Sequence, residues 1–199
     1  MISRRNFCIG GAAAVCLSVS RQPVMAATVA EPDAPLFSRA RTALDRHGAS
    51  VIARGKIGIV DFSRPSRDAR FHILDLESGA RQTIFVAHGK GSDPAHSGWL
   101  KRFSNEPGSE ASSSGAYLTG ATYDGKHGRS RRLKGLDSSN SNAEVRALVI
   151  HGAWYVSPDM VRTHGMLGRS QGCLAVAEGD LDMVLTKLPE GSLIYVDKV

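Results

Sequence analysis

The 199 residues are 42% apolar, 22% charged and 6% aromatic, with 21 glycines, 8 prolines, 3 cysteines and a formal charge of +6. That length suits a single domain with a real core, and the apolar fraction is too high for a disordered chain. No apolar run reaches the roughly 18 residues of a spanning helix, and three cysteines in this length make no disulfide framework.

The chain opens Met1-Ile2-Ser3-Arg4-Arg5-Asn6-Phe7 and continues with an apolar stretch over residues 8–19. A basic start, a short apolar run and the small residues of Val24-Met25-Ala26 stand in the order of a secretory leader. Ser3-Arg4-Arg5 with Phe7 is similar to a twin-arginine export signal. Residues 1–26 are therefore expected to be a leader that sends the protein to the periplasm, with Thr28-Val29-Ala30 as a second cleavage site. Left uncut, the leader would tether the chain to the inner membrane. It holds three of the 25 basic residues and no acid, so removing it leaves 22 basic against 19 acidic residues, a net of +3. That is too little for a nucleic-acid binder, though it suits an anionic polymer. Cys8 and Cys16 leave with the leader, which makes Cys173 the only thiol of the mature chain.

Residues 27–49 read as a linker and an N-terminal helix. Glu31-Pro32-Asp33-Ala34-Pro35 is a flexible lead-in, Leu36, Ala40, Ala43 and Leu44 fall at helical spacing, and His47-Gly48 stops the run. From residue 50 onward strand signals dominate. Val51-Ile52 and residues 57–62 are predicted strands, and residues 71–76 and 82–87 predict a hairpin turning at Glu77-Ser78-Gly79-Ala80. Residues 88–142 are polar and rich in Gly and Ser, broken only by Ala116-Tyr117-Leu118-Thr119. Arg129-Ser130-Arg131-Arg132 reads as a solvated loop. So long a loop inside a domain either carries function or contains strands that are hard to see. Ala147-Leu148-Val149-Ile150 is a strong apolar strand, residues 178–188 an amphipathic helix, and residues 192–196 a last strand. The expected class is mainly β with a few short peripheral helices.

Two segments concentrate reactive groups: Val149-Ile150-His151-Gly152-Ala153, and Gly168-Arg169-Ser170-Gln171-Gly172-Cys173-Leu174-Ala175-Val176. The first puts a histidine at the end of a buried strand, where the backbone fixes it. The second puts the lone thiol after a glycine in a tight loop. A thiol attacks as thiolate, and histidine, titrating near neutrality, is the usual group that takes and returns its proton. Gly172 would let a carbonyl oxygen approach the backbone, with the amides of Gly172 and Cys173 as oxyanion donors.

His-Gly upstream of Ser-x-Gly-Cys resembles the signature of the L,D-transpeptidases with a YkuD-type domain. His88-Gly89-Lys90-Gly91-Ser92, Phe103-Ser104-Asn105, Gly108-Ser109, Ser113-Ser114-Gly115-Ala116-Tyr117, Gly125-Lys126-His127-Gly128 and Gly165-Met166-Leu167-Gly168 extend that resemblance to the murein L,D-transpeptidase branch over residues 50–199. The better-known branch has histidine before Gly-Cys where this chain has Gln171, so that histidine's role does not transfer. The resemblance implies a YkuD-like β-sandwich or barrel, with Cys173 as nucleophile and His151 as base. It implies peptidoglycan stem peptides as acyl donor and acceptor, no cofactor or metal, and acylation by carbapenems. The donor carbonyl belongs to the first or the third stem residue. An amine resolving the thioester makes a crosslink; water makes an L,D-carboxypeptidase. We further read Ser170 as ordering the loop and Arg169, His88, Gly152, Tyr117, Trp154 and His164 as substrate contacts, in a monomeric protein. Arg169 has the alternative of pinning the loop to a carbonyl.

Rival readings fare worse. No H-E-x-x-H or C-x-x-C occurs for a zinc hydrolase. Sortase-like enzymes want an arginine after the cysteine, and none follows Cys173. Papain-like wall peptidases place Cys before His, the reverse of this chain. A non-catalytic wall-binding module with an incidental thiol is the remaining alternative.

Overall fold

The computed structural model describes residues 34–199; the expected leader and lead-in lie outside the described residues. Among these, nine strands form one sheet and three short α-helices flank it. In chain order they are α1 (Ala34–Arg46), β1 (Lys56–Asp61), β2 (Phe71–Asp75), β3 (Arg81–Ile84), β4 (Val86–Ala87), β5 (Gly115–Gly125), β6 (Gly128–Gly135), β7 (Val149–Gly152), α2 (Pro158–His164), β8 (Leu174–Val176), α3 (Leu181–Lys187) and β9 (Leu193–Asp197). No helix among the described residues is long and apolar enough to cross a membrane.

The sheet order is β3-β2-β1-β9-β5-β6-β7-β8-β4, with β1/β9 and β7/β8 parallel and the other pairs antiparallel. Its two end strands, β3 and β4, are joined in the chain by Phe85 alone. A flat sheet of nine strands at about 4.8 Å spacing cannot bring its ends together through one residue. It must curl until they meet, as the shared core confirms: Ile84, Val86, Phe71, Leu133, Ile150 and Val196, drawn from strands around the whole order, pack in one cluster. The class expected from the sequence, mainly β with peripheral helices, is the class observed.

Strands near the middle of the order are buried on both faces. In β1, Ile57 and Ile59 point to an outer cluster with Leu36, Ala40 and Ala43 of α1, while Val60 points into the inner core. The helical spacing read from the sequence is thus the stripe that covers this face. A second outer patch, Ala87, Ala175, Ala153, Val156 and Leu167, is backed by Met160 and Val161 of α2.

Several expectations are corrected. Val51-Ile52 forms no strand. The expected loop at Arg129-Ser130-Arg131-Arg132 belongs to β6, with Ser130 and Arg131 buried. Arg131 escapes a polarity argument because its guanidinium donates to Thr122 Oγ1 and the Leu188 carbonyl, so a charged residue sits in a strand interior with its donors satisfied. Helix α2 was not foreseen. Its start is nonetheless ordinary: Ser157 Oγ accepts from the Met160 amide, with Pro158 at the first helical position.

Because Leu36 is fully buried against β1 and β9, Leu36→Ala should cost roughly 2–5 kcal/mol, as for other large-to-small core changes. Urea unfolding followed by circular dichroism measures this. Unchanged stability would place α1 outside the cooperative unit.

Candidate active site

Parallel pairing of β7 with β8 sets Ile150 beside Leu174 and His151 beside Ala175. Continuing that register by one residue brings Cys173 level with Val149. His151 and Cys173 are then diagonal neighbours on one face, because strand side chains alternate. Both line the same cleft, about 410 Å³ in volume, with Val149, Tyr155, Ser170 and Gln171 among its walls. The sulfur sits at the inner edge of the core, its residue 9% exposed, with Sγ 3.9 Å from the Ala147 carbonyl.

The loop before Cys173 is fixed from two sides. Ser170 Oγ donates to the Cys173 carbonyl at 2.7 Å and accepts from the Gly172 amide at 3.1 Å. Its backbone pairs with the segment after β4: the Ser170 amide donates to the His88 carbonyl at 3.0 Å, and the Lys90 amide to the Ser170 carbonyl at 2.8 Å. This approach requires glycine twice. A Cβ on Gly89 would lie 2.8 Å from Gly172 Cα and 2.3 Å from the Glu110 carbonyl oxygen, and Gly172 itself holds φ near +110°.

His151 Nδ1 lies 2.9 Å from the Gly152 carbonyl, an acceptor only, so Nδ1 carries the proton and Nε2 is left with its lone pair. The β5–β6 hairpin covers the other side. Pairing of Ser130 with His151 places the turn Gly125-Lys126-His127-Gly128 at the end of β7, where the His127 ring stacks on His151 with centroids 4.4 Å apart.

Electrostatically the two groups are driven apart. Burial lifts the Cys173 thiol above its ordinary value, opposed by the amides of Val149 and Cys173 and by the charges of Lys126 and Arg146. Burial also lowers His151, opposed by the Gly152 carbonyl and reinforced by His127 and Lys126. At neutral pH the resting pair is therefore thiol and neutral imidazole.

The other expected site residues scatter. Arg169 lines the cleft and also pins the loop, its Nη1 donating to the Asp93 carbonyl and, at 3.2 Å, to that of Pro94. Gly152 supplies the carbonyl that orients His151. His88 is not in the cleft: it is buried, with Nδ1 2.8 Å from Arg70 Nη2 and Nε2 3.5 Å from Asp93 Oδ2, and burial beside the Arg70 cation pushes it down to about 3. Tyr117 is core, its hydroxyl donating to the Ser113 carbonyl. Trp154 and His164 are exposed and do not line the cleft. The Gly172 amide, expected to face an oxyanion, is taken by Ser170 Oγ. Arg146 and Tyr123, which line the cleft, went unnoticed in the sequence. The only signal for Arg146 was a lone cation just before the apolar strand. No group of three or more His, Cys, Asp or Glu among the described residues could hold a metal ion.

A curled β domain with a thiol and an imidazole side by side in one basic cleft has the form of a cysteine–histidine domain. The chain belongs to the L,D-transpeptidase catalytic domain family, whose pattern it matches over residues 30–196. Among solved structures it is similar to an L,D-transpeptidase from Mycobacterium tuberculosis, at 12% identity and a TM-score of 0.45, covering 72% of this chain and 57% of that one. Another, from Xylanimonas cellulosilytica, is 15% identical with a TM-score of 0.43, covering 72% and 60%. L,D-transpeptidase 3 from Mycobacterium tuberculosis, in complex with a faropenem-derived adduct, is 11% identical with a TM-score of 0.45, covering 72% and 60%. The chain spans 57–60% of the length of these structures. No curated protein matches it.

A raised thiol beside a lowered imidazole has a distinct pH signature. The rate of Cys173 alkylation by iodoacetamide should climb about tenfold per pH unit between pH 6 and the thiol pKa, because the thiolate fraction does. A plateau of reactivity between pH 5 and 7 would mark a thiolate–imidazolium pair and reverse the assignment.

Proposed function

We propose that the protein is a cysteine-dependent L,D-transpeptidase that crosslinks peptidoglycan stem peptides. The observation that carries this reading is the His151 tautomer: with Nδ1 held by the Gly152 carbonyl, Nε2 is a base opening on the cleft that holds the only thiol of residues 34–199. Cys173 Sγ attacks the peptide carbonyl on the L-centre side of an L,D bond as its proton passes to His151 Nε2. The C–N bond breaks, the leaving D-amino acid takes that proton, and a thioester remains on Cys173. The amine of a neighbouring stem then attacks the thioester, losing a proton to His151, and the thiolate is reprotonated.

A neutral resting pair suits this sequence, because the base must be unprotonated when substrate arrives. The oxyanion falls to the Cys173 amide, since that of Gly172 is engaged by Ser170. A net positive chain suits an anionic polymer such as the cell wall. We assign the protein to the periplasm through its twin-arginine leader, a route compatible with a thiol already buried in its loop before export.

Incubation of purified protein with stem tetrapeptides, followed by intact-mass spectrometry, should show loss of the terminal D-alanine and a thioester on Cys173. A carbapenem should acylate the same sulfur through its strained lactam carbonyl. Cys173→Ser should abolish both adducts, and adduct-free protein after long incubation would overturn the reading. Dimeric products distinguish crosslinking from trimming.

A further inference from the structure

The cleft carries three cations, Lys126, Arg146 and Arg169, and neither Asp nor Glu lines it. Two of the three are already committed. Arg146 donates to the Ser104 carbonyl at 2.7 Å, to Ser113 Oγ at 2.6 Å and to the Ala111 carbonyl. Arg169 is tied to the carbonyls of Asp93 and Pro94. The nearby carboxylate of Glu110 is occupied outside the lining, by Lys90 Nζ at 2.8 Å and Gln171 Nε2 at 3.2 Å. Lys126 differs. Its ammonium has no ion pair and no hydrogen bond among the described residues, although it sits at the tip of the β5–β6 turn and its charge reaches both Cys173 and His151.

An uncompensated ammonium at the mouth of an acid-free cleft is a binding site for an anion. The chemistry proposed above supplies one at the right place: when the L,D bond is the last of the stem, the leaving amino acid carries a carboxylate one carbon from the nitrogen that departs. We infer that Lys126 receives that terminal carboxylate and makes the enzyme selective for donors whose scissile bond is followed by a free carboxylate. This rests on the transpeptidase reading. The ammonium is delivered by a two-residue turn anchored through the His127–His151 stack, so the carboxylate reader and the base are held to each other. On acyl transfer the anion leaves with the amino acid and Lys126 is bare again. The incoming acceptor then approaches as a neutral amine, the only form that attacks, and no carboxylate in the lining holds it as a cation.

The test compares two donors: a stem tetrapeptide ending in free D-alanine and the same peptide as its terminal carboxamide. The wild type should form the thioester with the acid at least roughly tenfold faster, as kcat/KM, which is the scale of one charge-assisted hydrogen bond. Lys126→Met should bring the acid-to-amide ratio close to one through loss of the acid rate, and Lys126→Arg should retain most of the preference. A wild-type ratio near one, or a Lys126→Met variant that keeps the wild-type ratio, overturns the assignment. Because a ratio is read, a general effect of the substitution on folding or on the thiol cancels. Wild type that forms no thioester with either donor, while iodoacetamide still labels Cys173, overturns the transpeptidase reading itself. That outcome is distinct from a selective failure of Lys126.

Discussion

Two backbone hydrogen bonds between Ser170 and the residues following β4 decide where the sulfur sits. They join the loop that carries Cys173 to a segment whose own position is set by a buried charged core. Arg70, fully buried, donates to the carbonyls of Val86 and Arg64 and to His88, while Asp93 accepts from the amides and hydroxyl of Ser97 and Gly98. Removing water from a guanidinium is costly unless its donors find partners, and here the fork is used on main-chain oxygens and the His88 ring. The result is a stiff platform under a loop that is also shaped by Ser170, by its glycines and by Arg169 tied to the carbonyls of Asp93 and Pro94. Rigidity at that point matters to the attack proposed for Cys173, because a nucleophile displaced by about 1 Å loses much of its rate advantage.

The platform also explains why His88 is so acidic and why that acidity has no direct part in chemistry. Burial beside Arg70 keeps its ring neutral, so it serves as an acceptor for the guanidinium rather than as a second base. The histidine at the cleft, His151, has its pKa lowered for a related reason, yet its side chain lines the cleft that holds Cys173. Burial alone therefore does not distinguish a structural histidine from one placed in a cleft. The distinction lies in what the ring faces.

Much of the site could be read from the sequence, and its limits have physical causes. Cys173 and His151 were legible because His-Gly upstream of Ser-x-Gly-Cys stands within an ordered set of motifs that resembles one family. The helical stripe of α1 and the hairpin of β2 and β3 were legible from periodicity. The β5–β6 hairpin was not, since Gly, Ser and Arg hide its alternation; its buried Arg131 is satisfied by Thr122 on the facing strand and by the distant Leu188 carbonyl. Trp154 and Tyr117 were misjudged for a similar reason. An aromatic side chain beside a strand can be turned in or out, and only tertiary packing chooses: Tyr117 went inward to a carbonyl, Trp154 outward to solvent. Lys126 and His127 were visible as residues but not as walls of the cleft, because their place depends on β6 pairing with β7, a non-local contact.

Closure of the sheet and construction of the site are one event in this chain. Residues 81–92 run from β3, one end of the sheet order, through Phe85 to β4, the other end, and continue directly into the His88-Gly89-Lys90 platform. β4 itself pairs with β8, Ala87 against Ala175 and Val86 against Val176, so the strand that closes the sheet also flanks the strand that follows Cys173. Phe85 makes the turn between the two ends, and Gly89 lets the chain pass against Gly172 without a side chain in the way. A β strand pair costs loop-closure entropy before it gains contacts, and here a long-range closure, that of β4 on β8, also sets the Cys173 loop. The density of glycine and small polar residues in His88-Gly89-Lys90-Gly91-Ser92 follows from that double duty: the segment must end a strand, leave the sheet and dock a reactive loop within five residues.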